Sequence, residues 1–173
     1  MDGNSLPSFG TQVTYKPNNS ITLNSSTFIG TDKPDSARQM RYFHNFYGIF
    51  QVAQRLDITL GLDYGMEEKS PEINSMNAWW SPVVIARYAV TNKIFLAARA
   101  EYYEDKHGVI IATETPSGFR TVGWSANFDY HIVSNAVWRI EARSLTSKDA
   151  IFQKEEGFSK SNTFVTTSLA VSF

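Results

Sequence analysis

The chain has 173 residues, a formal net charge of −1, 19% charged residues, 14% aromatic residues and no cysteine. The charged share falls below the roughly 25% of ordinary soluble domains, and the near-zero charge excludes the basic stripe that a nucleic-acid binder needs. Without cysteine there is no disulfide, thiol catalysis or thiolate metal site. No run of about 18 apolar residues is present, so no membrane-spanning helix is expected. The opening MDGNSLPSFG lacks a basic segment followed by an apolar one, so no signal peptide is visible. That start fits a cytoplasmic protein, a mature chain or a piece of a longer one.

Alternation in twos, the period of a strand, runs through nearly the whole sequence. Strands are expected near 8–17 and 20–31, then at 40–54, where FHNFYGIF is apolar on both sides. In 57–67, DITLGLDYGM sets Ile58, Leu60, Leu62, Tyr64 and Met66 against Thr59, Gly61, Asp63 and Gly65. The strand expected at 78–91 contains Pro82, which is awkward in a central ladder because it has no N–H to donate. At 94–105, Leu96, Ala98, Ala100 and Tyr102 oppose Arg99, Glu101 and Tyr103. At 119–133, Val122, Trp124, Ala126, Phe128, Tyr130 and Ile132 oppose Thr121, Gly123, Ser125, Asn127, Asp129 and His131. At 136–147, Trp138, Ile140 and Ala142 oppose Arg139, Glu141 and Arg143. The ninth strand, at 162–173, ends FVTTSLAVSF with Phe173, Val171, Leu169 and Val165 on one face and Ser172, Ala170 and Ser168 on the other.

The connections alternate between two kinds. Asn18-Asn19, Arg55-Leu56, Asn92-Lys93 and Ser134-Asn135 are expected as tight turns. DKPDSARQ, EEKSPEINSMN, DKHGVIIATETPSG and SKDAIFQKEEGFSKS are expected as longer polar loops. Short turns at one end and long loops at the other are the arrangement of a bacterial outer-membrane barrel. The fold class is therefore all-β, an antiparallel transmembrane β-barrel domain over residues 1–173 with about nine up-and-down strands.

A lipocalin-like soluble barrel would also alternate, so the chemistry of the polar face decides between them. That face carries small or neutral residues and an Arg–Glu set, whereas lysine, the usual solvent-facing strand residue, falls almost wholly in turns and loops. This suits a wet lumen with lipid outside. The expected pore-lining residues are Asp63, Arg87, Arg99, Glu101, Asn127, Asp129, Arg139, Glu141 and Arg143. Their charges would hold the wall together, bias which solutes pass, or do both. The expected lipid-facing and girdle residues are Tyr64, Trp80, Tyr88, Trp124, Tyr130, Trp138 and Phe173.

The stretches TYKPN, FIGTDKPDSARQMRYFHNFYG, LGLDYG, WWSPVVIARY, RAEYYEDKHGVI, FRTVGWSANFDY and WRIEARSLTSKDAIF resemble the putative beta-barrel porin-2 (OmpL-like) family of bacterial outer-membrane proteins. The resemblance runs from about Ser8 to Phe173. It implies a porin in the outer membrane and brings no catalytic residues with it. Members of the family have longer chains, and nine strands would leave the first and last running in the same direction, whereas single-chain bacterial barrels have even strand counts. The sequence is therefore expected to be the C-terminal portion of a larger barrel, with a complete eight-stranded barrel as the competitor. The terminal Phe173 resembles the C-terminal signature that the outer-membrane assembly machinery recognises.

No enzyme chemistry is expected. His44, His107 and His131 are far apart in sequence and have no metal-ligand spacing. Glu67-Glu68 and Glu155-Glu156 are read as solvated loop charge. Gly61, Gly65 and Gly123 are read as room for curvature or for bulky neighbours. IIATETPSGF and AIFQKEEGF embed apolar residues in loops, which suits folding inward as a plug or constriction, or contact with a partner. The function expected is passive diffusion of small hydrophilic solutes. The alternatives are a small closed barrel with an anchoring or adhesion role and a soluble lipocalin-like binder. Outer-membrane lipid, the assembly machinery, small hydrophilic solutes and further copies of the chain are the expected partners, with no nucleic acid, cofactor or metal.

Overall fold

Nine antiparallel strands form one sheet in the computed structural model, which describes residues 3–70 and 73–173. They begin with β1 (Phe9–Asn18), β2 (Ile21–Gly30), β3 (Arg41–Ala53) and β4 (Leu56–Ser70). β5 (Ile73–Ala89), β6 (Ile94–Asp105), β7 (Phe119–Val133) and β8 (Ala136–Ser147) follow. β9 (Phe152–Lys154) and β10 (Gly157–Ser159) form a small separate hairpin, and β11 (Ser161–Val171) then pairs with β8. Neighbours in sequence are neighbours in space, in the order β1-β2-β3-β4-β5-β6-β7-β8-β11. β1 and β11 are the two edges; they run in the same direction and are not paired with each other.

The two ends of the sheet differ. Residues 19–20, 54–55, 90–93 and 134–135 turn the chain at one end. At the other end, residues 31–40, 106–118 and 148–160 make longer excursions, the last containing the β9–β10 hairpin. The fourth expected loop, EEKSPEINSMN, is for the most part not a loop. β4 and β5 continue through it, pairing Glu67 with Asn77, Glu68 with Met76 and Ser70 with Ile73, while residues 71–72 lie outside the described residues. Polar side chains do not end an antiparallel ladder by themselves, because its backbone groups still satisfy one another there.

Pro82 does sit in a central strand. Its neighbours Trp80 and Val83 pair with Glu104 and Glu101 on β6, but Ser81 and Pro82 have no β6 partner, whereas on the other side Pro82 pairs with Leu62 of β4. The missing N–H is accommodated by a local opening of one ladder.

Exposure across the sheet is inverted relative to a soluble protein. Among the described residues, Trp79 is the one buried large apolar side chain, whereas Asn24, Thr31, Glu67, Asp105, Thr121, Ser125, Asp129 and Ser147 are buried. Trp124 is 65% exposed and Leu169 62%, and Val122, Leu60, Leu62 and Val165 are exposed beside them. On β7 the classes alternate strictly from Thr121 to Ala126, polar shielded and apolar exposed. The polar face is thus the shielded side of the sheet. In water this would leave the apolar face without the burial that drives folding; against hydrocarbon it is the favourable arrangement.

Candidate functional site: the polar face and the loop over it

The ladder registers bring all nine expected pore-lining residues to one face. Glu101 faces Gly123, Arg99 faces Ser125, and Ser125 in turn faces Arg143. Asn127 faces Glu141 and Asp129 faces Arg139. On the other side of β6, Ile85 and Arg87 carry the same face across to Thr59 and Asp57 of β4, and Asp63, opposite Ser81, lies further along that face.

The charges are mostly paired. Arg139 meets Asp129 as a fork, with Nε donating to Oδ1 and Nη2 to Oδ2, each at 2.6 Å. Glu101 accepts from both Arg99 and Arg143. Arg143 reaches it over Gly123, where an added Cβ would lie 2.6 Å from a Glu101 carboxylate oxygen. Arg87 lies 3.9 Å from the Asp57 carboxylate, with its guanidinium 3.9 Å above the Phe95 ring. Asp63 accepts from Asn45 Nδ2 at 2.6 Å. Glu141 has no ion-pair partner among the described residues.

The opposite face holds six of the seven expected lipid-facing residues. Tyr64 pairs with Trp80 near the loop end, and the Trp80 ring meets Tyr102 at 5.0 Å. Near the turn end, Tyr130 pairs with Trp138, and Trp138 meets Phe128 edge to face at 6.3 Å. Tyr88 pairs with Leu56, one residue from the 54–55 turn. Trp124 stands further from the ends, opposite Ala100 and Ser144, and Phe173 is fully exposed beyond the end of β11.

Glu67 departs from the sequence reading. It is not solvated loop charge: β4 runs on past it, the alternation carries it onto the polar face, and it is 7% exposed. Its carboxylate accepts from Arg41 Nε at 2.8 Å, and Arg41 also approaches Asp32 at 3.4 Å. Glu68, on the other face, accepts the Met40 backbone N–H at 2.9 Å. Lys69 likewise lies within β4 rather than in a loop.

Two further buried residues were not singled out by the sequence. Asn24 accepts from Gln12 Nε2 and Thr14 Oγ1 and donates to Ser26, tying β1 to β2. Asp105 is completely buried, and its carboxylate accepts three backbone N–H groups from Val109, Ile110 and Ile111. A carboxylate followed four to six residues later by loop amides is a local pattern, but only the fold of residues 106–118 brings the amides back to it.

The 106–118 segment folds over the polar face. Ile110 lines a cavity of about 320 Å³ together with Phe28, Arg41, Phe43, Asp63, Trp79 and Tyr103. Trp79 stacks on Phe43 and lies over Gly65, where any side chain would collide with the indole. The Arg41 guanidinium sits 6.0 Å from the Trp79 ring centre. The far end of the loop is tied to the next one: Asp149 accepts the Ser117 backbone N–H at 2.8 Å. That bond, with the Ser117 and Thr115 hydroxyls, holds the Asp149 carboxyl below its ordinary value.

This sheet resembles a solved structure. The NanC porin, in a rhombohedral crystal form, matches with a TM-score of 0.66 at 10% identity, over 96% of this chain and 78% of that one. At that identity the likeness is one of fold. No curated protein matches the sequence. The family described as Putative beta-barrel porin-2, OmpL-like matches residues 1–173, and by that match over its whole length the chain belongs to this family.

Proposed function

We propose that the chain forms the wall of an outer-membrane pore through which small hydrophilic solutes diffuse passively. Membership of a porin family makes it a channel-type protein rather than an enzyme. The observation that carries the finer reading is the inverted burial: Ser125 and Asp129 shielded on the polar face, Trp124 and Leu169 bare on the other. That polarity also disfavours a soluble lipocalin-like binder, whose apolar side chains would be enclosed.

In this reading Asp63, Arg87, Arg99, Glu101, Asn127, Asp129, Arg139, Glu141 and Arg143 line the water path. With Arg41, Asp57 and Glu67 they give a wall of mixed sign, so passage depends more on size than on charge. Tyr64, Trp80, Tyr88, Trp124, Tyr130, Trp138 and Phe173 face lipid, Phe173 also serving the assembly machinery. Because β1 and β11 run in the same direction, antiparallel closure takes an odd number of further strands, giving the even total of a larger single-chain barrel. Conductance across planar bilayers tests the function. Discrete open steps from the complete barrel are expected, and persistent silence from a correctly folded barrel would instead support a filled barrel with an anchoring role.

A further inference from the structure

The 106–118 segment leaves β6 after Asp105 and re-enters the sheet at Phe119. It neither returns as a tight turn nor extends straight away from the mouth. The Asp105 carboxylate draws it back with three hydrogen bonds: Val109 N–H to Oδ1 at 2.9 Å, and Ile110 and Ile111 N–H to Oδ2 at 2.7 and 2.9 Å. The side chain that makes them is wholly buried, so water does not compete for its lone pairs. As a result Ile110 lies across the polar face, sharing a cavity with Phe28 of β2 and Asp63 of β4 although it is joined to β6. A second tie, Ser117 N–H to Asp149, holds the returning limb.

We propose that residues 106–118 form the constriction loop of the pore and that Asp105 is the positioning residue that sets its aperture. This rests on the pore reading above. Asp105 does not touch the solute; it fixes how far the loop reaches over the lumen, and hence the largest solute that enters. Phe43 and Trp79 line the cavity beneath Ile110.

The test is liposome swelling with sugars of graded size, on the full-length barrel purified from outer membranes, alongside thermal unfolding of each variant. Asp105→Ala removes both acceptor oxygens and with them all three hydrogen bonds, and its swelling rates for the larger sugars should rise several-fold while those for the smallest change little. Asp105→Asn keeps an oxygen for the Ile110 and Ile111 amides and should fall between wild type and alanine. Ile110→Trp adds bulk at the mouth and leaves the latch intact, so it should lower the size limit; it also keeps the test open if Asp105→Ala fails to fold. A conducting wild type whose size limit none of the folded variants moves would overturn the constriction loop alone. A folded wild type that passes no sugar at all would overturn the pore reading and the loop with it.

Discussion

Arg143 on β8 reaches Glu101 on β6 across the strand between them, over the bare backbone of Gly123. The intervening strand has no side chain at that point, and the neighbouring Ser125 is short, so the guanidinium crosses two inter-strand spacings to a carboxylate it shares with Arg99. A β-sheet normally pairs side chains with adjacent strands; here a glycine extends the reach by one.

Gly123→Ala should therefore weaken that crossing. The new methyl falls against Glu101 and Leu145, and overpacking of this kind costs about 1–3 kcal/mol. Because the Glu101 carboxylate is the movable end of a flexible chain, the low end is expected. Urea unfolding in detergent micelles checks it, and the loss should shrink when Arg143→Gln has already removed the partner.

The Asp129–Arg139 fork makes a separate, weaker contribution. Asp129 is shielded but the Arg139 side chain is half exposed, so water and salt screen the attraction. A double-mutant cycle with Asp129→Asn and Arg139→Gln should give a coupling of about 1 kcal/mol or less that falls as salt is added.

The tie between the two long loops depends on pH. The Ser117 N–H lowers the Asp149 carboxyl below its ordinary value, so the charged form is favoured in the native state. The group then stabilises the tie at pH values above the unfolded value near 3.8 and loses that contribution as pH falls through its lowered native value. Hydrogen exchange at the Ser117 amide should be well protected at neutral pH. It should lose protection, relative to the β7–β8 ladder, only in acid below about pH 4. In Asp149→Asn this acid step should disappear.

The strands were legible because a period of two survives across almost every segment, and Thr121 to Ile132 shows it without interruption. The same period places Arg99, Glu101 and Arg143 on one face. It does not say that Arg143 passes its own neighbour to find Glu101, because that depends on register and on the gap at Gly123. Glu67 is hidden for a related reason: a polar run reads as the end of a strand, but the ladder continues and Arg41 waits across it. The role of Asp105 is not legible in the sequence, because its three donors come from a loop whose path no periodicity encodes. The β9–β10 hairpin leaves no signal in the sequence, because each of its strands is three residues long, too short for alternation to register.

The most direct measurement is a cysteine scan along β7 in the folded, membrane-embedded protein, made clean by a chain that has no cysteine of its own. Single cysteines at Asn127 and His131, the half-buried positions of the polar face, should react with a charged, membrane-impermeant thiol reagent. Cysteines at Val122, Trp124, Ala126 and Phe128 should resist it and sense a lipid-dissolved quencher when carrying a fluorophore. The opposite alternation, or equal reactivity at every position, would contradict a watery inner face and a lipid-bound outer one.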